Sequence, residues 1–214
     1  MKTIGITGNI GCGKSTAARV CGEMGAATID LDKVAHQLYA DDQDLREILV
    51  NAFGQEILDY TGQIDRPSLS RIVFSDQDKL RTLNLLVHPR IMEEVRTRLE
   101  IYRLMKKEAT IVHGALLLDV CDRSFLDQIW VICSQLENVL SRLLPQGMEK
   151  EEILRRRSMQ SDQVMLAQQA DIVLENDIPL SAFEDLVQET YEWQVLVPIY
   201  GLKNHRTSLR EDNV

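Results

Sequence analysis

Gly8-Asn9-Ile10-Gly11-Cys12-Gly13-Lys14-Ser15 fits G-x-x-x-x-G-K-[ST], the glycine-rich loop that cradles a polyphosphate. Its residue types follow from that task. Glycines let the backbone take positive φ and approach phosphate oxygens, so that successive N–H groups converge on an anion. A helix starting at Lys14 adds its unpaired N–H groups and a dipole worth roughly half a positive charge. Lys14 then reaches the β- and γ-phosphates, and Ser15 offers its hydroxyl to Mg²⁺. The plainer reading is a strand-to-helix turn that binds nothing. The short apolar run before the loop and the helical pattern after it are the context that the phosphate site needs, and they favour it.

Asp30-Leu31-Asp32 supplies two carboxylates at the end of a second apolar run. The carboxyl ends of strands are where open α/β sheets hold their ligands. One of the two acids also suits the N-cap of a helix over residues 33–38. The third strand ends at His113-Gly114 without an acid, so Asp30 or Asp32 is also the candidate for a water-mediated contact to Mg²⁺. Cys12 has two readings of equal weight: a thiol made acidic by phosphate-binding amides and shielded by nucleotide, or a buried, inert small residue. Arg142, Arg155, Arg156 and Arg157 are the candidates for a mobile, phosphate-facing lid. The plainer reading of 149–157 is a charged helix with its acids early and its bases late.

The elements that must position these residues follow from periodicity. Strands are expected at 3–7, 26–29, 110–112, 128–133 and 171–174, and helices at 15–24, 135–144, 149–160 and 180–197. Between 42 and 107 the pattern changes to three helical segments, with Leu45, Ile48, Leu49 and Phe53, then Leu80, Leu83, Leu86 and Val87, at helical spacing. This stretch reads as an insertion in a parallel sheet. Within it, Asp59-Tyr60-Thr61-Gly62 spells D-x-x-G but reads as a turn, since no N-K-x-D follows. Pro89 sets His88 at a kink, where a lone histidine reads as structural.

The chain has 214 residues, 44% of them hydrophobic, enough to bury a core of one domain with an insertion. A net charge of -9 argues against a broad nucleic-acid surface. The first apolar run is too short for a membrane span or a signal peptide. Cys12, Cys21, Cys121 and Cys133 lack C-x-x-C spacing, so free thiols in a reducing cytoplasm are expected.

Over nearly its whole length the sequence resembles the dephospho-CoA kinase family. The resemblance is carried by GNIGCGKST from Gly8, Asp30-Leu31-Asp32, Phe53-Gly54, Gly62-Gln63-Ile64-Asp65-Arg66 with Leu69, and Leu83 to Pro89. It continues in Ala115-Leu116-Leu117-Leu118-Asp119, Arg156 with Gln160, and Ala170 to Asn176. Departures are Asn9 for glycine and Cys12 for serine in the loop, Ala115 and Asp119 for proline and glutamate, and a lid with Arg142 but without the second arginine of R-L-x-x-R.

The resemblance implies a P-loop NTPase-type three-layer α/β fold with a parallel sheet. Its nucleotide-binding core is 1–41, 108–134 and 161–200, its dephospho-CoA-binding helical insertion 42–107, its lid 135–160, and 201–214 a frayed polar tail. It implies transfer of the γ-phosphoryl of ATP to the 3′-hydroxyl of dephospho-CoA. Asp32 orients that hydroxyl and accepts its proton, or contacts the metal, or both. Lys14 neutralises charge on the β- and γ-phosphates, and Arg142 and Arg156 close over the phosphates. Gly8, Asn9, Ile10, Gly11, Cys12, Gly13, Lys14, Ser15, Thr16 and Asn176 hold ATP, with Ser15 on Mg²⁺. Asp30, Asp32, Arg66, Leu69, His88 and Arg90 hold dephospho-CoA. No nucleic acid, membrane or obligatory protein partner is expected. Two rivals stand beside it: a shikimate-type kinase, which calls for an F-R motif and a glycine triplet absent here, and a nucleotide switch, which calls for N-K-x-D.

Overall fold

Five parallel strands lie in the order β2-β3-β1-β4-β5. They are β1 (Lys2–Thr7), β2 (Ala27–Asp30), β3 (Ala109–His113), β4 (Gln128–Cys133) and β5 (Ile172–Glu175) in a computed structural model that describes residues 1–200. The expected polar tail, 201–214, lies outside the described residues. Side chains alternate across the strands as a sheet buried on both faces requires. Ile4, Ile6, Ile111, Trp130 and Ile132 face one core, while Ile29, Val112, Ile129 and Val131 face another.

The first core is closed by α1 (Lys14–Glu23) and, on chain return, by α10 (Leu180–Tyr191), through Ala17, Ala18, Cys21, Phe183, Val187 and Tyr191. The second is closed by α2 (Leu31–Asp41), α3 (Gln43–Phe53), α4 (Arg66–Phe74) and the long α5 (Gln77–Leu104). Leu45, Leu49, Val95 and Leu99 are almost wholly buried there, each contributing about 1.5–3 kcal/mol in area terms. Four aspartates start these helices: the side chains of Asp30, Asp42, Asp65 and Asp76 accept hydrogen bonds from first-turn amides of α2, α3, α4 and α5.

The remaining α-helices among the described residues are α6 (Leu117–Val120), α7 (Leu136–Leu143), α8 (Lys150–Ser158), α9 (Gln163–Gln168) and α11 (Val197–Tyr200). Three sequence expectations are adjusted. The helix over 180–197 is α10, a π-helical turn Glu192–Leu196 and α11. The helix α9 had no counterpart among the expected elements. Residues 77–104 form one helix that continues past Pro89, so His88 lies inside a helix. Asp59 does head a turn, its Oδ1 accepting from Thr61 N at 2.7 Å and Gln63 N at 3.1 Å. Among the described residues no helix is long and apolar enough to cross a membrane.

With strand order 2-3-1-4-5, the connection from β1 to β2 runs to one side of β1 and that from β3 to β4 to the other, which opens a crevice at the carboxyl end of β1. The glycine-rich loop fills that position.

Candidate active site

The loop connects β1 to α1 with Gly8 at φ 146°, Gly11 at φ 71° and Gly13 at φ 109°. Gly13 precedes the first helical residue, and a Cβ there would stand 2.3 Å from Asn176 Nδ2. On Gly8 it would stand 2.2 Å from Ile132 O. Both positions are therefore glycine for space as well as for φ. Lys14 Nζ folds back over the loop and donates to Gly8 O and Asn9 O, each at 2.8 Å. Ser15 is exposed at the first turn of α1, with Thr16 half-buried beside it.

Cys12 is fully buried, and burial pushes its thiol up despite the opposing charges of Lys14 and Arg142. Of the two readings, burial favours the inert small residue: desolvation of the thiolate outweighs the nearby positive field.

Residues immediately after β4 and β5, with one from α7, brace the loop. Asn176 Nδ2 donates to Cys12 O at 2.7 Å. Arg142, on α7, donates to Asn176 Oδ1 at 3.2 Å, Ser134 Oγ at 3.2 Å and Gly11 O at 3.4 Å, and also to Asn176 O. Ser134 Oγ in turn donates to Asp177 Oδ1 at 2.8 Å. Burial raises the Asp177 carboxyl, but hydrogen bonds from Gln135 N, Asn138 and Ser134, with Arg142 nearby, outweigh it and hold the group below its ordinary value. Ser134 and Asp177 were missed from sequence. The available signal was their place immediately after β4 and β5, on the ligand edge of the sheet.

The segment after α8 touches the loop directly. Gln160 Oε1 accepts from Ile10 N at 2.8 Å, and Asn9 Nδ2 donates to Ser161 O at 3.3 Å. Arg156 is not brought there; it is exposed and its Nε donates to Glu152 Oε1 at 2.7 Å. Arg155 pairs with the same carboxylate. Arg157 is the member of the run that turns inward, donating to Ser134 O and Gln163 Oε1, both at 3.3 Å.

On the other side of the loop the acids divide their work. Asp30 is the N-cap of α2, with Oδ1 accepting from Asp32 N at 3.0 Å and Lys33 N at 3.2 Å. Asp32, in the first turn, is exposed, and its carboxylate has no hydrogen bond or ion pair among the described residues. Next to Asp30 in the ladder is His113, a buried residue that sequence reasoning passed over because the end of β3 carried no acid. Burial lowers its pKa, opposed by Asp30 and Asp32 and assisted by Lys14 and Lys33.

The residues expected to hold an acceptor are spread along the helices that follow. Arg66 begins α4 and meets the His36 ring of α2, its Nη1 at 2.9 Å from Nδ1 and in contact with Nε2. Arg90 Nη1 pairs with Asp42 Oδ2 at 2.8 Å. His88 is half-buried; burial lowers its pKa, against the charge of Asp119. Leu69 is 3% exposed and belongs to the core under α4.

No three His, Cys, Asp or Glu side chains among the described residues gather into a metal cage. What the edge does present is Ser15 hydroxyl and the Asp30 and Asp32 carboxylates, hard oxygen donors that fit Mg²⁺. That ion commonly takes one or two protein oxygens and completes its shell with phosphate and water.

A family model described as dephospho-CoA kinase matches residues 2–181. A curated dephospho-CoA kinase from Aquifex aeolicus is 34% identical over 192 residues, 90% of this chain and 97% of that protein. The crystal structure of TT1252 from Thermus thermophilus is similar at TM-score 0.73 and 29% identity, covering 91% of this chain and 98% of that one. A dephospho-CoA kinase from Campylobacter jejuni shares the fold at TM-score 0.66 and 24% identity, over 90% of this chain and 96% of that one.

Proposed function

The chain belongs to the dephospho-CoA kinase family, and from that premise we propose how its P-loop edge moves a phosphoryl group. The enzyme is an ATP-dependent kinase that transfers the γ-phosphoryl of ATP to the 3′-hydroxyl of dephospho-CoA, giving CoA and ADP. The family match removes the shikimate-type and switch readings as the main activity.

Phosphoryl transfer asks a protein for position and charge more than for covalent chemistry. In our reading the acceptor hydroxyl hydrogen-bonds to the Asp32 carboxylate. As its oxygen bonds to the γ-phosphorus, the bond to the β–γ bridging oxygen breaks and the hydroxyl proton passes to Asp32. The observation that carries this assignment is that Asp32 is exposed and uncommitted while Asp30 is spent on capping α2. Lys14 exchanges the carbonyls of Gly8 and Asn9 for phosphate oxygens and takes up the charge that grows on the β-side. The loop from Gly8 to Thr16 supplies amides, and Arg142 and Asn176 keep it in shape. Arg156 reaches phosphate only by leaving Glu152.

Mg²⁺, when bound through Ser15 and phosphate oxygens, supplies neutralisation of β- and γ-charge. Helices α3 to α5, within 42–107, form the acceptor domain, with Arg66, His88 and Arg90 directed to dephospho-CoA; Leu69 serves it from the core. The lid is 135–160. Cytoplasmic residence is part of the same reading, and the four free, buried cysteines support it.

A coupled ADP-release assay with dephospho-CoA, shikimate or no acceptor tests the function. Stimulation by dephospho-CoA alone is the expected result. Equal ADP release under all three conditions would remove the assignment.

A further inference from the structure

A second polar cluster adjoins Asp32 without belonging to the phosphate cradle. Asp32 and His36 are four residues apart on α2, so they share one face, about 6 Å apart along the axis. Both are exposed. Against His36 lies Arg66, from α4, with Nη1 2.9 Å from Nδ1 and touching Nε2 as well. A guanidinium only donates, so the ring nitrogen that accepts from it leaves the other nitrogen to carry the N–H. Arg66 has no carboxylate partner among the described residues, in contrast to Arg90, paired with Asp42, and Arg98, paired with Glu94. It also stands at the first residue of α4, where the helix dipole disfavours a cation. In a chain of net charge -9, this is a guanidinium without a carboxylate partner among the described residues, held on the His36 ring one turn of α2 from the Asp32 carboxylate.

We propose that His36, with Arg66, binds the diphosphate of the acceptor. The inference rests on the reaction assigned above and adds a residue and a ligand group to it. In dephospho-CoA the 3′-hydroxyl and the 5′-diphosphate are carried by one ribose. A hydroxyl seated on Asp32 sets the diphosphate about a sugar's width away, which is the offset of one helical turn that separates Asp32 from His36. Arg66 gives paired N–H donors suited to phosphate oxygens, and the His36 nitrogen that accepts from the guanidinium orients it while the other ring N–H is a further donor. The site therefore selects acceptors bearing a diphosphate next to the reacting ribose.

Calorimetric titration of dephospho-CoA into the full chain, with ADP saturating the donor site, reads this binding directly. His36→Gln and Arg66→Gln are each expected to weaken Kd about tenfold or more. In turnover, each should raise KM for dephospho-CoA by a similar factor while KM for ATP and kcat stay within about twofold. Affinity within about twofold of wild type in both variants would overturn the site and leave the reaction standing. Equal losses toward ATP and dephospho-CoA would also overturn it, since they would mark a general structural role. Wild-type protein that binds dephospho-CoA, and does so tenfold more weakly as either variant, supports the site even if turnover is absent, and in that case the assigned reaction fails alone. Wild-type protein that does not bind dephospho-CoA removes both.

Discussion

Asn176 Nδ2 and Cys12 O are 2.7 Å apart, joining the residue after β5 to the turn of the phosphate loop. Both groups are buried, and Asn176 also receives Arg142 on Oδ1. The loop's shape is thus set from a strand two places removed from β1 in the sheet. Asn176→Ala strands a buried carbonyl and a guanidinium N–H. We expect a loss of about 1–3 kcal/mol in stability and a several-fold rise in KM for ATP. KM for dephospho-CoA should change less. Urea unfolding and steady-state kinetics on the variant check this, and an unchanged KM for ATP would separate Asn176 from the loop.

Burial decides the chemistry of Cys12. Its thiol is raised by desolvation and has no access to solvent. Iodoacetamide at neutral pH is therefore expected to leave Cys12 unlabelled in the native protein, with or without ATP, and to label it once urea has unfolded the chain. Peptide mass spectrometry reads the result. Rapid native labelling that ATP suppresses would restore the reactive thiol.

The loop and β4 were legible in the sequence for different reasons. The loop's residue types are each required by phosphate contact, so the pattern carries its own mechanism. Strand β4 runs apolar from Ile129 to Cys133 because it is interior to the sheet and buried on both faces, and its expected bounds match the structure. Helix α9 was not legible: of its six residues only Leu166 is buried, while Val164 and Met165 are exposed, so no period marks it. The brace behind the loop was hidden for another reason. Arg142 and Asn176 are 34 residues apart, and Ser134 and Asp177 are 43 apart, separations at which only the folded sheet makes neighbours. Within Arg155-Arg156-Arg157 the failure was one of phase. Adjacent residues on a helix differ by about 100°, and nothing in three like residues says which one faces inward.

Two histidines give the fold a pH dependence. Burial lowers the pKa of His113, against Asp30 and Asp32, and that of His88, against Asp119. Each imidazole binds a proton more readily in the unfolded chain, where its value is near 6.5. Between the lowered folded value and 6.5 the unfolded state holds more protons, so stability rises with pH there and is lost as pH falls. Above that window the two groups contribute no slope. His113→Asn should consequently lose less stability than wild type between pH 7.5 and 5.5, compared by urea midpoint at each pH. An equal or larger loss in the variant would mean that Asp30 and Asp32 hold the imidazolium in the fold.

Asp32 is the residue on which the proposed chemistry turns. Its neighbour Asp30 accepts two amide hydrogen bonds as the cap of α2, whereas the Asp32 carboxylate is exposed in the following turn. A carboxylate in that position can orient an attacking hydroxyl and take its proton as transfer proceeds, an effect typically worth roughly 10²- to 10⁴-fold. Asp32→Asn retains size and removes charge and basicity. We expect kcat to fall by a factor in that range while KM for ATP, governed by the loop and Lys14, stays within about threefold. Asp30→Asn behaves differently under the same assignment, because asparagine caps a helix about as well as aspartate; it should fold with near wild-type stability and lose less kcat. Titrating Mg²⁺ in both variants separates base from metal contact. A defect in Asp32→Asn that high Mg²⁺ relieves, together with weakened ATP-Mg²⁺ binding, would assign the carboxylate to the metal. A defect in kcat alone, constant across Mg²⁺ concentrations, is the outcome expected of the base, and full activity in Asp32→Asn would remove both roles.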